Sequence, residues 1–225
     1  MPILEKMGEF FNLRAEIYDN HMLVDLELDE FYEEIARLVE FDALNPKLLD
    51  LGCGTGIELE KLFVKYPGIR VTGIDLAAEM LKKLENKYKD KNIDLICGSY
   101  FDVKFGSDFD VVLSTYSLHH FSEPEKLALY KKVFESMKPC GLYIEGDYTV
   151  KTDEEQTLYI NELARYKKEQ NLPDDNFYHY DTPMTAANQI KLLKLAGFAD
   201  IKIIKQWEST TIITAKKSKR QEVKT

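Results

Sequence analysis

The stretch that most constrains this chain is Leu48–Gly56, where a short apolar run meets Asp50 and then three glycines, Gly52, Gly54 and Gly56, at alternate positions. Lys47–Leu51, bounded by Pro46 and the glycines, reads as a buried strand, and Leu59, Leu62, Phe63 and Tyr66 recur after it at helical spacing. The spacing predicts a glycine turn between a strand and a helix. Such a turn allows positive φ and close approach of a ligand, and the following helix directs free N–H groups at whatever the turn holds. A dinucleotide loop needs G-x-G-x-x-G. Here the third glycine position falls on Ile57 and Gly56 arrives one residue early. A Walker phosphate loop needs Gly-Lys followed by Ser or Thr, which does not occur after these glycines.

The Asp-x-Gly-x-Gly-x-Gly pattern instead resembles, in full, the first motif of the class I S-adenosylmethionine-dependent methyltransferases, whose glycine loop wraps the methionine moiety of the cofactor. The resemblance runs from about residue 45 to 216. It implies an α/β, Rossmann-like class I methyltransferase fold: a seven-stranded, mostly parallel sheet with helices on both faces. Arg70–Asp75 reads as a second strand ending in a carboxylate about 20 residues beyond the loop, where Asp75 can accept both hydroxyls of a ribose. Dehydrogenases place an acid similarly, so Asp75 alone does not discriminate. Leu76 and Met80 stand where the family packs the adenine; alternatively they belong to the core. Ile93–Cys97 reads as the third strand, and Gly98-Ser99 replaces the family's Gly-Asp, which leaves adenine recognition to Ser99 or the Tyr100 backbone. With Asp50, Gly52, Cys53, Gly54, Gly56, Ser114 and Thr115, these residues make up the cofactor contacts that the resemblance implies.

Phe109–Ser114 reads as the fourth strand and runs into Thr115–Phe121, whose His119-His120-Phe121 is similar to the family's His-His-Phe. Ser114–Ser117 lacks the Asn/Asp-Pro-Pro-aromatic of enzymes that methylate adenine amino groups or glutamine amides, and the Pro-Cys of cytosine C5 enzymes. The resemblance therefore points to a small-molecule acceptor. Ser122 with Glu125, and Thr152 with Glu155, form capping boxes. Lys138-Pro139-Cys140-Gly141 stands in place of Lys-Pro-Gly-Gly, with Cys140 read as structural, and Leu142–Tyr148 reads as the fifth strand.

The flanks carry the specificity. Residues 1–45 read as a helical cap, with Leu4, Met7 and Phe11 on one stripe and Phe31, Ile35 and Leu38 on another. Between them, the Tyr18-Asp19 pair resembles a segment that small-molecule methyltransferases lay over the cofactor; alternatively Tyr18 and Met22 pack a helix face. Residues 46–216 form the methyltransferase domain. Within it, 149–184 is longer than the connection requires, and Phe177–Met184 holds three aromatics and a histidine. This segment reads as a lid or one wall of the acceptor pocket, or as a loop packed on the core. Asp200–Gln206 and Thr210–Lys216 alternate as two final strands, and 217–225 reads as a flexible tail.

With 225 residues, 44% of them hydrophobic, the chain suits one sizeable domain. The formal charge of −9 disfavours nucleic acid and anionic membranes as partners. Cys53, Cys97 and Cys140 make neither a disulfide framework nor a C-x-x-C, and Met1–Lys6 lacks a basic segment followed by an apolar core, so a cytoplasmic protein is expected. The oligomeric state is not legible. Methyl transfer by direct displacement requires alignment, exclusion of water and, for a hydroxyl or ammonium acceptor, a base. His119 and His179 are the candidates for acid–base or acceptor contact, with Tyr18, Asp147 and Tyr148 near the acceptor and at least one of His119 and His120 structural. No H-E-x-x-H or close ligand spacing exists, so no metal is expected. A silent cofactor-binding module and a protein or RNA methyltransferase are the alternatives; an NAD-linked oxidoreductase is opposed by the glycine spacing.

Overall fold

The computed structural model describes residues 2–41, 44–174 and 176–218. Eight strands form its sheet: β1 (Lys47–Leu51), β2 (Arg70–Asp75), β3 (Ile93–Cys97), β4 (Phe109–Thr115), β5 (Met137–Val150), β6 (Met184–Thr185), β7 (Phe198–Gln206) and β8 (Thr210–Lys217). Seven run in the order β3-β2-β1-β4-β5-β8-β7, and the two-residue β6 pairs with the end of β5. The first five are parallel to their neighbours, whereas β8 is antiparallel to both β5 and β7. The expected seven-stranded sheet is therefore present with one short addition.

Alternation along each strand divides the core into two layers. Leu49, Leu51, Val112, Tyr143 and Ile213 face one layer, which helices α6 (Glu123–Ser136) and α8 (Ala186–Leu195) close with Leu129, Tyr130, Leu192 and Leu193. Leu48, Val111, Leu113, Ile144 and Ile212 face the other, closed by α3 (Asp29–Leu38), α4 (Ile57–Lys65) and α5 (Ala78–Lys87) through Phe31, Ile35, Leu59, Leu62, Leu81 and Leu84. Both faces are covered, which is why the strands read as near-continuous apolar runs.

Both predicted capping boxes form, one opening α6 at Ser122 and the other opening α7 (Asp153–Glu169) at Thr152. The fifth strand is longer than the sequence suggests, because backbone pairing begins at Met137 and passes a register shift on β4 between Phe109 and Val111. Cys140 accommodates this with φ +65°, the left-handed conformation that the family's glycine would adopt more easily. The last strand runs through Lys217, and residues 219–225 of the expected tail lie outside the described residues.

The N-terminal segment supplies α1 (Met7–Arg14), a short α2 (Tyr18–Asn20) that continues into a wide turn at His21–Asp25, and α3. It is tied to the stretch after α7: the Met7 N–H donates to the Phe177 carbonyl at 3.0 Å and the His179 N–H to the Glu5 carbonyl at 2.9 Å. The Thr182 N–H and hydroxyl in turn both donate to the His119 carbonyl, at 2.8 and 3.0 Å. Cap and insertion thus close together over the open end of the sheet.

Beneath them lies a buried polar cluster. Glu145 on β5 accepts from the phenols of Tyr130 and Tyr143 at 2.7 and 2.9 Å, and the fully buried Lys126 ammonium lies 3.5 Å from its other oxygen. Removing one member of such a group leaves its partners desolvated and unpaired. Glu145→Ala is expected to cost about 3–5 kcal/mol of unfolding free energy, measured by urea denaturation.

Candidate functional site

The glycine loop is held where four strand ends meet. The Gly52 N–H donates to the Ile74 carbonyl of β2 at 2.8 Å, and Gly52 itself takes φ +76°. A Cβ there would stand 2.2 Å from the Ser117 Oγ and 2.6 Å from the Tyr100 hydroxyl, which bond each other at 2.7 Å. Only glycine fits. Asp75 ends β2 with one carboxylate oxygen accepting from the Gly54 N–H at 2.9 Å and the other from the Ala77 N–H at 2.7 Å. Burial outweighs these hydrogen bonds and pushes its carboxyl up to about 6.

Gly52, Gly54, Asp75, Leu76, Met80, Ser99, Tyr100 and Tyr18 line one cavity above the strand ends. The Ser99 hydroxyl oxygen is already engaged, accepting from the Phe101 N–H at 3.3 Å. Five residues expected at the cofactor do not reach this wall. Asp50 is completely buried behind the loop, Cys53 packs its sulfur under Gly73, Gly56 backs onto Leu84 and Tyr88, the Ser114 hydroxyl donates to the Leu51 carbonyl at 3.1 Å, and Thr115 is buried. Cys53 and Thr115 precede residues that do line it, Gly54 and Tyr116. Met7, Phe11, Tyr116, Ser117, His120, Phe121 and Phe177 also line it. Of these, Tyr116, Ser117, His120 and Phe121 fall in the motif after the fourth strand, Phe177 in the aromatic cluster, and Met7 and Phe11 on the stripe of the cap.

A missed neighbour of the loop is Glu58, in the first turn of α4. It is buried beside Asp50, and neither Asp50 oxygen nor the Glu58 Oε1 has a hydrogen-bond partner. Burial and mutual repulsion push Asp50 well up, while burial takes Glu58 up to about 7. A glycine cradle and a strand-end carboxylate facing the cavity fit S-adenosylmethionine, whose ribose offers two hydroxyls.

A second cavity shares Phe11, Tyr18, Tyr116 and His120 with the first. Its remaining wall includes Phe10, Ile17, Met22, Leu26, Tyr148, His119, His179 and Asp181. His119, His179, Tyr18 and Tyr148 are thereby brought together, and Asp147 is set behind His119, its Oδ1 2.6 Å from the imidazole Nδ1. Asp181 Oδ1 lies 3.3 Å from the other ring nitrogen. Burial disfavours the charge on His119, but the two carboxylates outweigh it and raise the imidazole to about 9. His119 is therefore a poor base. His120 directs Nδ1 at the Tyr180 carbonyl at 3.2 Å, and burial beside charged His119 drives it down to about 3. His179 stacks on Phe10 with ring centres 3.4 Å apart, and burial lowers it too. Burial and nearby carboxylates raise the Tyr18 phenol far enough to keep it protonated.

Two outcomes follow for cofactor binding. Gly52→Ala should abolish calorimetric binding of S-adenosylhomocysteine, because the added methyl has no space. Ribose hydroxyls require the ionised Asp75, whose raised carboxyl is protonated below about 6. Affinity should therefore hold above that pH and fall about tenfold per unit below it, a dependence that Asp75→Asn removes along with most of the affinity.

Comparison with known proteins agrees with this geometry. Residues 48–141 match the family described as a methyltransferase domain. The carboxy-S-adenosyl-L-methionine synthase of Nautilia profundicola is 23% identical over 221 residues, covering 92% of this chain and 93% of the relative. The malonyl-[acyl-carrier protein] O-methyltransferase of Priestia megaterium is 26% identical over 132 residues, covering 58% of this chain and 47% of the relative. Among solved structures, DhpI in complex with SAH superposes with a TM-score of 0.69 at 18% identity, covering 94% of this chain and 95% of that one. Residues 48–141 thus match a methyltransferase domain, and the chain as a whole has the fold of, and is similar in sequence to, class I S-adenosylmethionine-dependent methyltransferases.

Proposed function

We propose that this enzyme transfers the methyl group of S-adenosylmethionine to a small molecule held in the second cavity. The observation that carries this reading is the wall of Phe11, Tyr18, Tyr116 and His120 common to both cavities, which would put an acceptor beside the cofactor. The bound cofactor supplies an electrophilic methyl on its sulfonium. The chain supplies the rest: Asp75 and the glycine loop orient the nucleoside, and aromatic rings from the cap, β5 and the insertion exclude water. Tyr18, kept protonated, donates a hydrogen bond at the shared wall. Tyr148 and His179 contact the acceptor. Asp147 and Asp181 hold His119 as a fixed imidazolium, so His119 positions the cavity wall instead of taking a proton.

The lining suits an apolar or aromatic acceptor, with Ile17, Met22 and Leu26 beside the rings. Two curated relatives support methyl transfer or cofactor chemistry by their names alone, one as an O-methyltransferase and one as a carboxy-S-adenosyl-L-methionine synthase. The second name, on a relative matched over nearly its full length, favours a further reading in which the cofactor itself is modified. No helix among the described residues is long and apolar enough to cross a membrane, and the free cysteines support a reducing, cytoplasmic setting.

Incubating the protein with methyl-labelled S-adenosylmethionine and a panel of small aromatic acids, phenols and amines separates these readings. Label in an acceptor with release of S-adenosylhomocysteine supports transfer. Label retained in a heavier nucleoside supports modification of the cofactor. Binding with no product from any acceptor class points to the silent module. Tyr18→Phe should lower kcat about 10-fold or more with a smaller change in cofactor affinity, since removal of one hydrogen bond donor at a reacting centre costs ~1.5 kcal/mol or more.

A further inference from the structure

We propose that His119, His120 and Asp181 form a binding site for one divalent transition-metal ion in the wall of the acceptor cavity. One nitrogen or oxygen from each of the three lies within 4.8 Å of the others. The His119 Nε2 is 3.3 Å from Asp181 Oδ1, and the His120 Nδ1 is 3.4 Å from that same oxygen. Bonds of about 2.0–2.1 Å in a tetrahedral site separate adjacent ligand atoms by about 3.3 Å, so both spacings already suit a shared ion.

The surroundings support the same assignment. His119 commits Nδ1 to Asp147, so an ion would bind at Nε2 by displacing the proton that this nitrogen carries in the metal-free protein; this carboxylate–histidine pairing is how proteins fix the orientation of a metal-bound imidazole. Asp147 is itself held, accepting from the Tyr148 N–H at 2.9 Å with the Lys126 ammonium 4.0 Å from its other oxygen. Asp181 is positioned from both sides: Thr182 is bonded twice to the His119 carbonyl, and the Tyr180 hydroxyl donates to Glu162 at 2.8 Å. His120 Nδ1 lies 3.2 Å from the Tyr180 carbonyl as well as 3.4 Å from Asp181, so coordination through Nδ1 gives up the bond to that carbonyl and uses the tautomer with its proton on Nε2.

Two imidazoles and one carboxylate suit zinc, cobalt, iron or nickel and not magnesium or calcium, which prefer oxygen. All three residues line the acceptor cavity, so three protein ligands leave a further position for water or for an oxygen of the acceptor. There the ion would polarise an acceptor hydroxyl and ease loss of its proton. This last role rests on the proposed methyl transfer, whereas the metal site itself does not.

The test is titration of the untagged, metal-free full-length protein with Co²⁺, read by visible absorption and by the metal-to-protein ratio after gel filtration. One equivalent with a tetrahedral spectrum is expected. His119→Gln and Asp181→Asn should abolish it, Asp147→Asn should weaken it about 10–100-fold, and His21→Ala, exposed and paired with Asp25, should leave it unchanged. Retained binding of S-adenosylhomocysteine serves as the check of folding, and Asp181→Asn, on a half-exposed side chain, keeps the test decisive if His119→Gln does not fold. Absence of stoichiometric binding, or binding indifferent to Asp181→Asn, overturns the proposal. Cobalt bound here with no methyl transfer to any acceptor would sink the proposed function alone; methyl transfer by a protein that binds no cobalt would sink this inference alone.

Discussion

The site depends on the contact at Gly52, where there is no room for a single carbon atom. The loop after β1 meets the Ser117 hydroxyl from the segment after β4 and the Tyr100 hydroxyl from the segment after β3, while its N–H is bonded to the β2 carbonyl of Ile74. Four parallel strand ends are thus drawn to one point. Open α/β sheets bind ligands at this edge, where strand order reverses on either side of the first strand. Here β1 lies between β2 and β4, so the cavity opens above the reversal.

From this convergence the charge distribution of the site follows. Strand-end acids cannot avoid low-dielectric surroundings, and the protein treats them in two ways. Asp75 receives two backbone N–H groups and remains within reach of ionisation near neutral pH. Asp50 and Glu58 receive none at three of their oxygens and hold protons more tightly. On the acceptor side, His119 resolves a similar problem in the opposite direction. Its charge is stabilised because Asp147 and Asp181 approach from β5 and from the insertion, on two elements distant in sequence. A histidine that titration alone would suggest as a base becomes part of the wall.

Much of the fold was legible because its causes are local. Apolar runs bounded by glycine and proline gave the parallel strands, and Ser122-x-x-Glu125 and Thr152-x-x-Glu155 gave two helix starts that the structure contains as capping boxes. The start of β5 was misread because its first residues pair through a bulge, with Cys140 in a left-handed conformation that no local pattern announces. Around the cofactor, the motif identified the loop but not which way each residue turns. Gly52 and Gly54 face the cavity, whereas Cys53 and Gly56 face the core, because the turn reverses direction within those five residues.

The sequence by itself determined the sheet, the glycine loop and the carboxylate that follows it, since strand alternation, glycine conformational freedom and spacing along one chain suffice to specify them. Tertiary structure alone decided the second cavity. His119-His120, Asp147 and Asp181 are separated by tens of residues, and none carries a spacing that marks a shared centre. They meet because the strand pairing of β4 with β5 and the hydrogen bonds of Thr182 to His119 bring three distant segments together. Protonation state and ligand geometry depend on distances of a few ångströms across such contacts, and these exist only once the chain has folded.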